Sequence, residues 1–357
     1  ATPDALVGAM EEVVRPADDF VVVFTSGSRG VPKGTIHTHG SALGAVASGL
    51  DARRVGADDR LYLPMPFFWT GGLAAGLLTA LVAGATIITE AIPQPDRTLA
   101  LLEREHVTLF RGWPDQAATL AAHPGFATAD LSSLRPGSLP AVLPPERRPA
   151  PGSRPNLFGM TETFGPYCGA HGDVDLPAAK WGSCGRPLDG IEVRILEPDA
   201  DGLGEIALRG RNVMRGICGR TREETFDADG FYASGDLGVL DADGYLWFHG
   251  RRDDMFKVNG ATVYPSEVEA ALRAIVGVQQ AHVTNVTVDH RETVGALVVS
   301  SLPLDELMRA VRARLSAFKA PTCWVVTDSG DDVPLTATAK VDKPALQELL
   351  TRKGTGR

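Results

Sequence analysis

The sequence has few cysteines, no dense basic run and no leader pattern. Its four cysteines, Cys168, Cys184, Cys218 and Cys323, are far apart and form no Cys-x-x-Cys pair, which argues against a disulfide framework or a zinc site. The formal net charge of −9 and the lack of a Lys/Arg run disfavour a nucleic-acid partner. The first residues show no basic segment followed by an apolar run, so we expect no signal peptide.

One stretch, residues 70–89, carries no charge and is long enough to span a membrane. Its four glycines dilute its hydrophobicity, and Pro64 and Pro66 precede it. We therefore predict a buried helix and strand there rather than a membrane span, and a cytoplasmic protein. A chain of 357 residues, 44% apolar and 22% charged, is typical of a globular protein of about two domains.

The first chemical motif lies at residues 24–34, after an apolar run typical of a strand. Its glycines let backbone N–H groups turn toward an anion, the hydroxyls of Thr25, Ser26 and Ser28 add donors, and Lys33 adds positive charge. It is not a Walker loop, because a proline precedes the lysine and a glycine follows it, so we expect extended chain rather than a helix. For this motif alone, a polar surface turn is the alternative to a phosphate site.

Predicted helices and strands alternate beyond this loop. The helices are expected at 41–50, 73–81 and 97–105, and the strands at 60–63, 85–89 and 107–110. This alternation predicts a parallel sheet flanked by helices. Residues 64–72 contain three consecutive aromatics, which indicate either core packing or the wall of an apolar pocket. Proline-rich residues 134–156 predict an irregular loop.

Two further turns carry carboxylates. At residues 157–163 a glycine turn places Thr161 where it could contact a phosphate and Glu162 where it could contact Mg²⁺, although a Thr-Glu pair is also a common helix cap. Within a β-rich region at 204–248, we expect Asp236 to lie at a tight turn. It could accept hydrogen bonds from ribose hydroxyls or simply be solvated.

A charged, glycine-led segment at 250–254 predicts a domain boundary. We expect a large domain at residues 1–253 and a small α+β domain at residues 254–357. Within the small domain, Ser266 and Glu269 have the spacing of a capping box. Lys340, taken alone, would be a solvated surface lysine.

Together, and in this order, the motifs resemble those of the adenylate-forming superfamily, which includes acyl-CoA synthetases, peptide-synthetase adenylation domains and firefly luciferase. The likeness runs from Val21 to Leu350. Residues 24–34 are similar to the family's phosphate loop, 158–162 to its Tyr-Gly-x-Thr-Glu motif and 234–237 to its Thr-Gly-Asp motif, and Lys340 matches its C-terminal catalytic lysine. The acyl-CoA synthetases are the most similar members.

The resemblance implies an α/β fold, with parallel sheets and a β-rich part in a large N-terminal domain and a small, mobile α+β C-terminal domain. It implies a two-step reaction, in which ATP and Mg²⁺ activate a carboxylic acid as its acyl-adenylate and the thiol of coenzyme A then takes the acyl group. Lys340, Thr161 and Glu162 would be catalytic, and Glu162 would also bind the metal.

The resemblance also assigns binding residues. Those expected to bind the nucleotide or coenzyme A are Thr25, Ser26, Gly27, Ser28, Gly30, Lys33, Asn156, Phe158, Gly159, Asp236, Arg251 and Gly260. The expected acyl pocket consists of Phe67, Phe68, Trp69 and Gly71, and Asp254 is the expected hinge. Amino-acid-activating relatives place an aspartate in this pocket segment, and none is present here, so the resemblance favours fatty, aryl or alicyclic acids without an α-amino group.

Three functions stay open at this point. The chain could be an acid–CoA ligase, an enzyme that loads the phosphopantetheine of an acyl-carrier protein, or a catalytically silent module that binds nucleotide or acyl-adenylate. Departures from the family pattern include Arg29 for the usual threonine, Ala339 for the usual glycine and an altered adenine loop at 136–141. Family members also carry a large portion ahead of the phosphate loop, and this sequence begins close to that loop. The sequence does not predict the oligomeric state.

Overall fold

A computed structural model describes residues 4–25, 32–155, 157–258, 261–288, 291–336 and 340–356. Six predicted site residues lie outside the described residues, namely Ser26, Gly27, Ser28, Gly30, Asn156 and Gly260. The contacts divide the chain into two compact units, one formed by residues 1–234 and 239–247 and the other by 235–238 and 248–357. The domain boundary after residue 253 and the mobility of the smaller domain stay predictions.

The first unit contains most of the short strands. In chain order they are β1 (Asp19–Thr25), β2 (Lys33–Thr38), β3 (Arg60–Tyr62), β4 (Thr86–Ile88), β5 (Leu109–Phe110), β6 (Phe158–Met160), β7 (Gly165–Gly169), β8 (Arg186–Pro187), β9 (Glu192–Leu196), β10 (Gly204–Arg209) and β11 (Gly216–Ile217). The strands β12 (Tyr232–Leu240) and β13 (Leu246–Arg251) contribute residues to both units.

The helices of the first unit are α1 (Asp4–Val13), α2 (His39–Arg53), α3 (Thr79–Ala83), α4 (Pro95–Arg104), α5 (Pro114–Ala122) and α6 (Arg222–Thr225). A π-helix at Gly71–Leu78 runs directly into α3, so the uncharged segment is a helix followed by a strand, as predicted. It is not buried throughout, because Leu81 and Val82 are 67% and 45% exposed. The start of α2 is fixed by a capping box between Thr38 and Ser41. Helix α1 was not predicted.

A parallel sheet lies in the order β4-β3-β5, with Leu61 opposite both Ile87 and Leu109. The predicted α/β fold is therefore confirmed. Leu61, Ile88 and Leu109 of this sheet are buried. Tyr62 and Phe110 pack at a ring separation of 4.8 Å in the core between the sheet and helices α4 and α5.

The phosphate-loop segment connects an antiparallel hairpin. Strand β1 pairs with β2, with Thr25 opposite Lys33 across the connection, and β2 also pairs with β11. The chain after the lysine is therefore extended, as the neighbouring proline and glycine predicted. Strand β6 similarly pairs with β7, and β7 with β8. These hairpins fix the backbone on either side of the candidate site.

The second unit is an α+β arrangement. Its further elements are β14 (Phe256–Val258), β15 (Ala261–Val263), α7 (Pro265–Arg273), β16 (Val278–Val288), β17 (Arg291–Ser300), α8 (Leu304–Arg312), β18 (Cys323–Thr327), α9 (Lys343–Lys353) and β19 (Thr355–Gly356). The sheet order is β16-β17-β18-β19, with β17 and β18 parallel. Trp324, only 2% exposed, packs in the core against α7 and α8.

No helix among the described residues is long and apolar enough to cross a membrane.

Candidate functional site

Three polar side chains meet in the first unit where two predicted motifs come together. Lys33, at the start of β2, forms an ion pair with Glu162, which lies in the short 3-10 helix Thr161–Thr163 after β6. The hydroxyl of Tyr232 lies 3.0 Å from Lys33 Nζ and 3.1 Å from Glu162 Oε1. The lysine of the phosphate loop and the carboxylate of the Thr-Glu turn thus share one cluster.

The surroundings of this cluster favour a protonated Lys33 and a neutral Tyr232. Glu162 is 5% exposed. Burial alone would lower the pKa of Lys33, but the carboxylate of Glu162 outweighs it and raises the pKa above its usual value. Burial, together with Glu162, raises the pKa of Tyr232, so its hydroxyl stays neutral and can donate to the carboxylate. A buried carboxylate is thereby satisfied by two donors.

Strand β2 contacts the Thr-Glu turn through His37. His37 is fully buried, and its Nε2 lies 2.8 Å from the carbonyl oxygen of Thr161. Burial lowers the pKa of His37, so the neutral ring donates to this carbonyl. Phe164 closes the turn in the left-handed region at φ 53°, and its ring lies 4.9 Å from that of His37. Packing therefore maintains a backbone conformation that a bulky residue adopts rarely.

The predicted adenine-side residues lie on β6. Phe158 is half-buried, with its ring 5.3 Å from that of Tyr167. Gly159 lies so close to β7 that an added Cβ would clash with the carbonyl oxygen of Gly165. Only glycine fits at this point of the hairpin. Thr25 ends β1 and is half-buried.

A cavity of about 970 Å³ lies beside these strands, within the first unit. Gly71 and Thr70 line it, together with Gly159 and Met160 of β6. Arg53 at the end of α2, Arg111 after β5, and residues 136–140 also contribute.

The three predicted pocket aromatics are not among the residues that line this cavity. Phe67 and Phe68 are 40% and 77% exposed. The N–H of Trp69 donates to the carbonyl of Pro66 in a turn, and the Trp69 ring packs on Trp113, which does line the cavity.

The remaining predicted residues lie in the second unit. Asp236 lies in the middle of strand β12, so the predicted tight turn was wrong. Arg251 Nη1 donates to Asp236 Oδ1 at 2.9 Å, and Asp236 is 5% exposed. Asp254 pairs with Lys343 at 2.5 Å. Lys340 is exposed, next to an isolated bridge between Leu335 and Val341.

Four residues of the site were not predicted, namely Tyr232, His37, Arg53 and Arg111. For His37 a signal existed, because the alternation in Lys33–Thr38 places Thr35 and His37 on one face, and both are fully buried. For the two arginines and Tyr232 no local pattern distinguishes them from surface residues.

Comparisons with known proteins identify the family of this chain. The sequence model of the AMP-binding enzyme family matches residues 3–218. A curated relative, 3-[(3aS,4S,7aS)-7a-methyl-1,5-dioxo-octahydro-1H-inden-4-yl]propanoyl:CoA ligase of Mycobacterium tuberculosis, is 34% identical over 96% of this chain and 69% of the relative. Indoleacetate–CoA ligase of Aromatoleum aromaticum is 31% identical over 95% of this chain and 69% of its own length.

Among solved structures, o-succinylbenzoate coenzyme A synthetase of Bacillus subtilis, in complex with AMP, matches with a TM-score of 0.75 and 26% identity, over 96% of this chain and 71% of that one. The predicted resemblance is confirmed, and the chain belongs to the AMP-binding family of adenylate-forming enzymes.

Proposed function

We propose that the chain activates a carboxylic acid as its acyl-adenylate and transfers the acyl group to coenzyme A. The observation that carries the proposal is the cluster of Lys33, Glu162 and Tyr232, which joins the phosphate-loop lysine to the Thr-Glu turn. The names of the relatives, which are CoA ligases, support it.

The first step brings two anions together. A carboxylate oxygen bonds to the α-phosphorus of ATP as the bond from that phosphorus to pyrophosphate breaks. Neutralising charge and positioning the reactants are therefore the main tasks of the protein. Lys33 and Lys340 would supply positive charge at the phosphates. Thr25 and Thr161 would donate hydrogen bonds from their hydroxyls to the phosphates. Asp236 and Arg251 would hold the ribose. Phe158 and Gly159 would border the adenine.

The residues present fit a magnesium nucleotide rather than a resident metal. The described residues contain no cluster of three or more His, Cys, Asp or Glu side chains suited to a metal, and Mg²⁺ bound to phosphates needs few protein ligands. Glu162 would hold the ion while Lys33, its partner here, pairs with a phosphate. When bound, Mg²⁺ would neutralise negative charge on the phosphates of ATP.

In the second step the thiol of coenzyme A attacks the acyl carbon, AMP leaves and the thiol proton passes to solvent. Gly260 would lie beside the pantetheine arm, and Asp254 would be the hinge of the domain rotation between the steps. The indoleacetate and indenyl-propanoyl acids in the names of the relatives favour aryl or alicyclic acids over simple fatty acids.

The direct test is release of pyrophosphate by this chain over a panel of fatty, aryl and alicyclic acids, with and without coenzyme A. We expect release that depends on one class of acid, and acyl-CoA as the product by mass spectrometry. If the acyl product forms only when a phosphopantetheine carrier protein replaces coenzyme A, the proposed acyl acceptor is wrong and the proposed activation step is right.

A matched pair of variants guards against contaminating activity. Glu162→Gln should lower kcat/KM for pyrophosphate release by about tenfold or more, whereas Glu223→Gln, an exposed carboxylate on α6, should leave it unchanged. Nucleotide binding without pyrophosphate release for any acid would overturn the proposal and favour a silent binding module.

A further inference from the structure

The cavity in the first unit has a strongly one-sided charge. Its lining includes four arginines and no acidic residue, and the arginines are Arg53, Arg111, Arg147 and Arg154. Two of these have a polar partner, although Nε and Nη1 of Arg154 are buried and form no hydrogen bond within the described structure. Arg147 donates to the carbonyl of Leu134 at 2.9 Å, and Arg154 Nε lies 2.9 Å from a carboxylate oxygen of Asp175.

The other two arginines bond only to neutral acceptors within the described part of the chain. Arg53 donates to the hydroxyl of Thr79 at 3.3 Å, and Arg111 donates to the backbone carbonyl of Arg53 at 2.8 Å. Arg53 is 7% exposed. Arg111 is half-buried, and two neighbouring cations held largely out of water are costly unless an anion compensates them.

The two carboxylates that act on Arg111 already form ion pairs with other arginines, although Oδ1 of Asp173 is buried and forms no hydrogen bond within the described structure. Asp59 and Asp173 act on Arg111, but Asp59 pairs with Arg135 at 2.7 Å and Asp173 pairs with Arg54 at 3.6 Å. The cavity wall therefore keeps positive charge that these carboxylates do not neutralise.

Both cations persist at neutral pH. Burial lowers the pKa of Arg53 and of Arg111 to about 10, and each also lies near another arginine. Because this value is well above 7, both guanidinium groups remain charged when a substrate enters.

The cavity also contains polar groups without partners. Arg111 Nε and Thr70 Oγ1 are buried and form no hydrogen bond within the described structure, and both residues line the cavity. A purely hydrocarbon acyl chain would leave them unsatisfied, at a cost for each buried group. A ligand with acceptor oxygens would satisfy them.

Resting on the proposed function, we infer that the cavity takes acids with a second carboxylate, remote from the adenylated one, and that Arg53 and Arg111 bind it. The reacting carboxylate must reach the α-phosphate near Lys33 and Glu162, and neither residue lines the cavity. Met160, which lines the cavity, directly precedes Thr161 and Glu162 in sequence. We therefore place the rest of the acid against the arginines, and the adenine against Gly159 and residues 136–140 of the same lining. Guanidinium groups suit a carboxylate because they donate two parallel hydrogen bonds.

The test compares paired acids in the pyrophosphate assay: heptanedioate against heptanoate, and arylacetic acids with and without a ring carboxylate. We expect kcat/KM to favour the dicarboxylic member by about tenfold or more, since a site built for an anion rejects the analogue without one. In Arg53→Met and Arg111→Gln this ratio should fall by about tenfold, and Arg53→Lys should retain part of it. Arg104→Met, at an exposed arginine of α4, is the control with the same charge change.

Two results would overturn the inference. One is a wild-type preference for the monocarboxylic acids. The other is a rise in the KM for ATP in the Arg53 and Arg111 variants with no change in the acid ratio, because the arginines would then serve the nucleotide.

Calorimetric titration with each dicarboxylate separates this inference from the proposed function. One outcome is that the chain releases no pyrophosphate and still binds the dicarboxylate. If the wild type then binds it and Arg53→Met does not, the second-carboxylate site is supported and only the proposed adenylation is refuted. Circular dichroism of each variant checks the fold, and Arg111→Gln serves if Arg53→Met unfolds. No binding and no preference would refute the site.

Discussion

Lys33 donates to the carboxylate of Glu162 in an ion pair that joins strand β2 to the turn after β6. The hydroxyl of Tyr232 contacts both partners. Sequence motifs assign the lysine to a phosphate and the carboxylate to a metal, yet in this structure each neutralises the other. Nucleotide binding would therefore exchange one set of charge pairs for another rather than fill a preformed site.

The ion pair predicts a measurable loss of stability. Lys33→Met removes the charged partner of a carboxylate whose side chain is 6% exposed. Breaking a fully buried pair costs about 3–5 kcal/mol, and because the Lys33 side chain is 24% exposed we expect about 2 kcal/mol. Urea denaturation at pH 8 measures it. Glu162→Gln combined with Lys33→Met should cost less than the sum of the single variants.

The ion pair of Lys33 and Glu162 also predicts that the stability of the fold depends on pH in the alkaline range. The pKa of Lys33 is raised above 10.5 in the folded chain, so its contribution is complete below that pH and is lost as the pH rises through the folded pKa. The difference between wild type and Lys33→Met should therefore shrink above pH 10.5. A constant difference would mean that the methionine acts through packing alone.

A glycine in strand β6 gives a second prediction. In Gly159→Ala the new Cβ would meet the backbone of Gly165 and Pro166 on β7, and backbone cannot yield as a flexible side chain does. We expect a loss of about 1–3 kcal/mol, measured by chemical denaturation. Gly216→Ala in β11 is the matched control, since an added Cβ there meets nothing within 4 Å. Equal losses would contradict the steric explanation.

Local sequence patterns predicted the elements that depend on local physics. The uncharged segment at 70–89 and the extended chain after Lys33 were predicted because glycine and proline act within a few residues. The predicted capping box at the start of α7 was wrong. The N-cap is Tyr264, two residues before Ser266. Ser266 donates instead to the carbonyl of His249, and Glu269 accepts from the N–H of Val283.

Contacts between distant segments could not be predicted in the same way. The spacing of Lys33, Glu162 and Tyr232 along the chain says nothing about their distance, and the family resemblance supplied roles for the first two only. Arg53 lies at the end of a helix, where a basic residue normally satisfies the dipole in solvent. Its burial depends on the packing of α2, β7 and the helix at residues 71–83.

His37 gives a prediction about acidic pH. Burial lowers its pKa below 6.5, so the stability that the neutral ring contributes is present above pH 6.5 and is lost as the pH falls toward the folded pKa. His37→Gln cannot titrate and should remove this part of the pH dependence. At pH 8 we expect it to cost about 1 kcal/mol, because Thr161 keeps a second donor, the N–H of Phe164. Thermal denaturation of the wild type and of His37→Gln from pH 5.5 to pH 8 measures this difference. If stability depends on pH in the same way in both proteins, the role assigned to His37 is refuted.

We expect a variant at Lys340 to separate the two proposed half-reactions. Its side chain is exposed, while its backbone N–H and carbonyl both bond to Thr336, so Lys340→Ala removes an amine without disturbing the backbone that presents it. If this lysine neutralises charge at the α-phosphate, the variant should lose adenylation by about a hundredfold and still transfer acyl groups from supplied acyl-adenylate to coenzyme A. Lys353→Ala, at the exposed end of α9, should retain both steps. Equal loss of both half-reactions in Lys340→Ala would refute the assigned role, because the second step requires no charge neutralisation between a carboxylate and ATP.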